Sequence, residues 1–521
     1  MIIKNTLLNT YDNSIGALAL TPNNPELQHQ AVLALARAGS LDFALSEFAR
    51  YGLDKIRHHE DIMALAGRLH KDLYLSSSGD YAQEHALNSS EKYETAYKDT
   101  GGYYSGINAA TMALVADVPI EIVKGRAQAI LRKLPNTEDS SKEELYFIEA
   151  TRAEAFLLLE DENVAGTALQ TAIEHDPLNY TAHASTLKQF RMICDHRTMP
   201  CDWLAQFSPP KSAHYSGHMF SASGEAEQDG KISGEAENEL RIKTSDAIQR
   251  HDIGFGFGAL AAGSDILIAE TLLEEGCELH VVLPVNPDLF MEHSVAPFGH
   301  AWIERFHNCV EKSNSLSVIT PHASWPAPDV DKFSRSVAMG KAIMQADILS
   351  IEAVQLLLWD GVQDASWTAK TAAEWSVHKR TQYSIPYTEL RKTKRQDERS
   401  QKDGLIKVML SSDDGGELTV FENINEAVLS ALDLQRSGEI QSRIGIHMGI
   451  AQDNDDVADI ACLLSKHAVP NSILVSGAVA SYLALHCRDL FAADYMGLAE
   501  GLGKSIRVFA LTTKGQHTSI I

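Results

Sequence analysis

The sequence has no Cys-x-x-Cys pair. Its six cysteines, Cys194, Cys201, Cys277, Cys309, Cys462 and Cys487, are scattered, which predicts free thiols in a reducing cytoplasm rather than a disulfide framework. Cys194, His196 and Cys201 lie close in sequence, but no second half-site accompanies them, so no metal is expected. No apolar run is long enough to span a bilayer, and the start lacks the basic-then-apolar pattern of a signal peptide. No membrane partner is therefore expected. Positive charge is also scarce: 45 lysines and arginines stand against 70 aspartates and glutamates, a formal net charge of −25. Such a chain repels phosphate backbones, which argues against nucleic acid as a general partner while leaving room for a local basic pocket.

What is present suits several domains. The chain has 521 residues and is 44% hydrophobic, enough for about three ordinary cores. The pattern predicts an all-α helical-repeat region over 1–200 and a Rossmann-like α/β domain over 201–390. A charged linker over 391–403 leads to a second α/β domain over 404–521.

In the first region, Leu33, Leu35, Ala38, Leu41, Ala44, Leu45 and Phe48 suit a helix pair turning at Gly39. A second pair runs through Ala150, Ala153, Ala155, Leu157 and Leu158 to Ala165, Ala168, Leu169, Ala172 and Ile173, ending at Pro177. Small residues at helix crossings and a closing proline mark tetratricopeptide-like repeats. Such repeats make local contacts and a curved surface, so this region should fold as a unit and bind a protein partner. The segment Thr100 to Leu114, TGGYYSGINAATMAL, resembles the TRAF-binding helical domain of apoptosis-signalling kinases and its bacterial relatives. Tyr103, Tyr104 and Asn108 there are either a recognition patch or a buried helix-to-helix corner.

The middle region is organised around Asp252 to Pro284, read as strand, glycine-rich turn, helix, strand. Ile253 to Phe255 is the first strand, and Gly256, Gly258 and Gly263 follow. Ser264 suits a helix cap and Asp265 its positive end. Amides at such a loop and helix start are a ready site for phosphate. Gly256-Phe-Gly258-Ala-Leu-Ala261 fits the dinucleotide pattern, but no acid stands at the end of the second strand to hold a ribose. The wording GALAAGSDILIAE followed by GCELHVVLP resembles the SMF/DprA–LOG-like nucleotide-binding superfamily. The glycines are also explained by a tight turn alone. Gly217 and His218, in the SGHM stretch, are expected at the carboxyl end of a preceding strand, and 222–238 is expected to be a mobile surface loop.

Further on, Arg335 and Met339 match in spacing the helix motif of the lonely-guy phosphoribohydrolases, where an arginine and a glutamate act on a nucleotide's N-glycosidic bond. The accompanying glycine loop is eroded. Trp359, Asp360 and Gly361 stand in place of Pro-Gly-Gly, Ser366-Trp367-Thr368 replaces the glycine–threonine turn, and Glu374 is displaced. An arginine can hold phosphate without an acid, but cleavage needs both. Binding survives this comparison better than hydrolysis does, leaving Arg335 and Glu374 as the catalytic candidates if there is catalysis. Arg335 as a surface ion-pair partner is the plainer reading.

In the last region, Arg443 to Gly449 (RIGIHMG), Thr419 to Phe421 and Pro470 to Ser476 resemble the class III nucleotidyl cyclases, implying a ferredoxin-like, cyclase-type fold. Those enzymes use two metal-binding aspartates, an asparagine and an arginine. Here Asp413 matches the first aspartate, Gly415 replaces the second, Ala458 replaces the asparagine and Cys462 the arginine. One lost transition-state donor costs a factor of ~100 or more, so several losses predict silence. The resemblance also implies a homodimer.

Two function classes follow. One is a signalling protein without catalysis or required cofactor: repeats for a protein partner, a nucleotide-like ligand in the middle domain and a dead cyclase-like domain for dimerisation or allostery. The other is an enzyme, either an N-glycosidic hydrolase or a residual cyclase.

Overall fold

The structure is a computed structural model that describes residues 8–135, 140–221, 231–320, 328–364, 366–387, 406–412, 418–436, 442–450, 454–501 and 504–514. The predicted linker over 391–403 lies outside the described residues.

Among the described residues ten α-helices come first: α1 (Thr10–Leu18), α2 (Pro25–Arg37), α3 (Leu41–Arg50), α4 (Glu60–Ser76), α5 (Gly79–Thr100), α6 (Tyr103–Val115), α7 (Ile120–Lys133), α8 (Lys142–Leu158), α9 (Glu162–His175) and α10 (Tyr180–Arg197). Local chemistry sets their ends. The Asn24 side chain accepts from the amides of Glu26 and Leu27, with Pro25 at the first helical position. Ser141, Asp161 and Asn179 cap α8, α9 and α10 in the same way. Gly39 and Gly101, at φ 80° and 74°, end α2 and α5 in the left-handed region. Buried alanines, among them Ala31, Ala44, Ala153, Ala165 and Ala172, let paired helices approach closely.

The segment from Thr100 to Leu114 is a corner. The Glu60 carboxylate accepts from the Ser105 amide and hydroxyl at 3.2 and 2.8 Å. Asn108 is buried and accepts from Lys71 Nζ at 2.9 Å, while Lys71 also donates to Gln189. Gln189 in turn donates to the buried Glu154. Asn108 thus belongs to a polar core joining α4, α6, α8 and α10; Tyr104 remains exposed.

The middle region runs β1 (Lys211–Gly217), β2 (Phe220–Ser221), β3 (Ile232–Ser233), α11 (Glu237–Arg250), β4 (Ile253–Gly258), α12 (Ser264–Glu274), β5 (Glu278–Leu283), α13 (Pro287–Ser294), α14 (Ala301–Lys312), β6 (Ser315–Val318), α15 (Pro328–Leu349), β7 (Ala353–Leu358), α16 (Trp367–Ser376) and β8 (Gln382–Ile385). Six of these strands form one sheet in the order β6-β5-β4-β1-β7-β8, and every pairing in it is parallel. β2 and β3 pair separately, so 231–238 of the expected surface loop holds a strand and the start of α11. From β1 the chain builds outward through β4, β5 and β6. The 22-residue α15 then carries it back to β7 on the other side of β1. The carboxyl ends of β1 and β7 therefore flank the point where the winding reverses, the place where such sheets open a crevice.

The glycines of the central unit correct one expectation. Gly256 and Gly258 lie inside β4, not in the turn after it. A side chain at Gly256 would overlap Leu272, and one at Gly258 the ring of Tyr215. Those faces are taken by packing of α12 and β1, so these two glycines bring elements together rather than exposing backbone.

The last region runs β9 (Ile406–Ser412), β10 (Thr419–Phe421), α17 (Ile424–Arg436), β11 (Arg443–Ile450), α18 (Asn454–His467), β12 (Ser472–Ser476), α19 (Gly477–His486), β13 (Phe491–Gly501) and β14 (Lys504–Thr513). Its sheet, in the order β10-β9-β11-β12-β14-β13, is antiparallel except for β11 with β12. One core joins Leu8, Val32, Leu35 and Phe48 to Leu464, Met496 and Val508. Another joins Phe333, Val337 and Met344 of α15 to Ile446, Val475 and Leu483. Helices from both earlier regions thus share cores with the last sheet. α15 and α19 cross at Gly340, where a side chain would overlap the Ser481 carbonyl.

Candidate functional site

β1 ends at Gly217, and the next residue, His218, is buried. Its carbonyl accepts from the Ser264 hydroxyl at 2.6 Å and the Ser264 amide at 3.2 Å, which ties β1 to the start of α12. The His218 ring meets Tyr387 through Nδ1 and Ser366 Oγ through Nε2, the latter at 3.4 Å. Burial, then the charge of Lys231, push its pKa down to about 4, against the pull of Asp360 and Asp364. The imidazole is neutral at physiological pH. Lys231 itself bonds Asp364 at 2.5 Å and lies 3.7 Å from Asp360. Burial opposes ionisation of Asp364, but hydrogen bonds from Lys231 and Ser366 hold its carboxyl below the usual range.

Asp265 stands at the first turn of α12, buried, and fills the space an anion would take there. Its Oδ1 accepts from the Gly217 amide at 3.1 Å and its Oδ2 from the Ala261 amide at 3.4 Å. Burial raises its pKa to about 6, opposed by Arg335 and by those two amides. Gly263 adopts φ 100°, with a would-be side chain against the Phe220 amide, so this glycine fits the close approach of two backbones.

Arg335 projects from the second turn of α15. Its guanidinium lies over Trp367, 5.2 Å from the ring centroid, and its Nε is buried without a hydrogen bond. It forms no ion pair among the described residues. This is not the surface salt bridge that an isolated arginine suggests. Asp331, one turn earlier, is raised by burial and lowered by Arg335. The buried His214 is held neutral near pKa 3 by burial and by Arg335.

Across the crevice, β7 leads to Asp360, whose carboxylate accepts from the Val362 amide at 3.0 Å, and to Gly361 at φ 79° with open space around it. Ser366 caps α16 by accepting from the Ala369 amide, and Thr368 is buried in the first turn. Glu374 points elsewhere. It accepts from Ser336 at 2.8 Å and faces His486 of α19 at 3.4 Å, which hold its carboxyl low despite burial.

The structure therefore places Gly217, His218, Gly263, Ser264, Asp265, Arg335, Asp360, Gly361 and Thr368 on the side of the sheet where β1 and β7 end. It draws Gly256 and Gly258 into the sheet and turns Glu374 toward the last region. Lys231, Asp331, Asp364 and Tyr387 join the site without a motif to announce them. The four-residue spacing of Asp331 and Arg335 on one helix face was the one available signal. Of the cyclase positions, Asp413 and Gly415 lie outside the described residues. Ala458 and Cys462 lie on α18, and Cys462 accepts from Ser411 of β9 at 3.4 Å.

Residues 10–113 match the family described as Tetratricopeptide Repeats-Sensor. The N-terminal region is a tetratricopeptide-type helical repeat domain, and the rest of the chain contributes two α/β sheets. Among curated proteins none matches. The chain is similar to a thermophilic tetratricopeptide-repeat protein of Thermus thermophilus, with 12% identity, a TM-score of 0.28, and 35% of this chain and 89% of that one covered. It is also similar to the Cut9–Hcn1 hetero-tetramer of the APC/C, with 13% identity, a TM-score of 0.27 and 38% of each chain covered. No helix among the described residues is long and apolar enough to cross a membrane.

Proposed function

We propose that this is a regulatory protein that binds a nucleotide-like anion in the crevice between β1 and β7 and a protein partner through its helical repeats. In this reading the middle domain is a Rossmann-like ligand sensor. The last domain is a cyclase-type framework without catalysis. The observation that carries the ligand reading is Arg335. A guanidinium that lies on a tryptophan face, forms no ion pair among the described residues and keeps a buried N–H unbonded favours an anionic guest. The amides of Gly217 and Ala261 already serve Asp265, so the guest's charge is assigned to Arg335 and the start of α16. Hydrolysis of an N-glycosidic bond is the weaker reading, because Glu374 is engaged by Ser336 and His486.

The test is a thermal-shift panel of nucleotides, cyclic nucleotides and ADP-ribose-like compounds on the wild type and on Arg335→Ala. A ligand of the native state raises the melting temperature. Loss of one charge-assisted contact should weaken binding by ~1.5–3 kcal/mol. A panel with no shift in the wild type, or the same shifts in both proteins, sinks this reading.

A further inference from the structure

Past the carboxyl ends of β1 and β7, a serine and a histidine 148 residues apart in the chain come together. Ser366 Oγ lies 3.4 Å from His218 Nε2. Nucleophile and base pairs are often this loose before a substrate draws them in. The other ring nitrogen, Nδ1, is held by the Tyr387 hydroxyl, and the Tyr387 ring stands edge-on to the imidazole at 5.8 Å between centroids. With Nδ1–H donated to the phenol oxygen, Nε2 turns its lone pair to the serine. Ser366 is half-buried and His218 buried, so the oxygen is within reach of a substrate while the base behind it is screened from water.

Ser366 also caps α16, its Oγ accepting from the Ala369 amide at 3.3 Å. A cap uses a lone pair of the oxygen and leaves its O–H proton to give. Asp364 and His218 are the two acceptors beside that proton. Asp364 already takes Lys231 at 2.5 Å and the Ser366 amide at 2.9 Å, and a carboxylate held so low has little pull on a proton. The neutral imidazole is the stronger base of the two, although burial makes it a weak one. The amides of Trp367 and Thr368, at the first two positions of α16, make no hydrogen bond among the described residues. They are the donors next in sequence to any oxyanion formed at Ser366.

We propose that Ser366 is a nucleophile with His218 as its general base, and that the middle domain hydrolyses carboxylic esters. Oγ attacks the ester carbonyl carbon as its proton passes to Nε2. The bond from that carbon to the alcohol oxygen breaks, and the alcohol leaves with the proton. Water then attacks the acyl carbon and gives a proton to Nε2. The bond to Oγ breaks, Oγ takes that proton back, and the carboxylic acid is released. Asp360 and Asp364 share one ammonium, Lys231, beside the serine, so the group attacked is an uncharged carbonyl rather than a phosphoryl group. The reaction shares the start of α16 with the anion reading but does not rest on it.

The experiment treats native full-length protein with diisopropyl fluorophosphate, an uncharged reagent that a nucleophilic serine attacks with loss of fluoride. The adduct is mapped by mass spectrometry. It is expected on Ser366 in the native wild type, and not after denaturation in urea. Ser366→Asn keeps a capping side chain and removes the nucleophile, so it should take no label at that position while remaining folded by circular dichroism. His218→Gln should be labelled on the order of a hundredfold more slowly, the scale of a lost general base. The wild type should also hydrolyse 4-nitrophenyl acetate, slowly, and Ser366→Asn should not. No adduct, an adduct confined to other residues, equal labelling of the denatured chain, or His218→Gln labelled as fast as the wild type overturns the proposal. Nucleotide stabilisation without an adduct at Ser366 removes this proposal and leaves the anion reading standing; an adduct without nucleotide stabilisation supports this one alone.

Discussion

Asp265 keeps its carboxyl out of water at a helix start, where an ionised group is welcome but a desolvated one is not. Its pKa of about 6 lies above the ordinary value, so the native state binds this proton more tightly than the unfolded chain does. The sign follows. The contribution to stability is complete below pH ~4 and is lost as pH rises through about 6. Relative to Asp265→Asn, the wild type should therefore gain about 2–3 kcal/mol between pH 7 and pH 4. Urea unfolding of both proteins across that range checks it, and parallel profiles rule it out. The same aspartate shows where reading by motif stops. Its position after Gly263 and Ser264 was legible as a helix start. That its carboxylate consumes the amides of Gly217 and Ala261 was not, because Gly217 lies 48 residues away in the chain. Gly256 and Gly258 misled for a related reason. A glycine needed for close packing looks, in sequence, like a glycine needed for a turn.

At the scale of elements, periodicity carried most of what could be foreseen. The helix pair expected to turn at Gly39 is α2 with α3, and the strand expected from Ile253 to Phe255 is the start of β4. α19 went unread because Val479, Ala480, Leu483 and Leu485 are buried together, leaving no polar stripe to reveal a helix. How α15 meets α19 was out of reach, since it depends on a contact between distant segments. Two glycines test that contact. Gly340→Ala forces a methyl group against the Ser481 carbonyl and should destabilise by about 1–3 kcal/mol. Gly125→Ala sits in α7 with open space around it and should stabilise by ~0.5–1 kcal/mol through the lost freedom of the unfolded chain. Denaturant unfolding should move the two variants in opposite directions; equal effects would show that the crossing is looser than described.

For the whole molecule, the shared cores outweigh the domain boundaries drawn from composition. A fragment ending at residue 200 should be helical by circular dichroism. It should also expose the face of Val32, Leu35 and Phe48 that Leu464, Met496 and Val508 cover. Strong binding of an apolar dye is expected, reversed by adding the fragment 404–521. A fragment that stays monodisperse and binds no dye contradicts this. Pairing of two chains through the faces of the last sheet, as the cyclase resemblance implies, would first have to displace the chain's own helices.

Arg443 grips Asp12 with two hydrogen bonds, at 2.9 and 3.1 Å, across a separation of 431 residues. This contact has a consequence for biosynthesis. The ribosome releases α1 to α3 well before the strands that complete their core. At ~5–20 residues per second, the interval is on the order of tens of seconds. For that time the nascent chain carries an uncovered apolar face, open to chaperones and to neighbouring nascent chains. The helix of Asp12 is thus finished long after it is made, and a chain interrupted before Arg443 never finishes it.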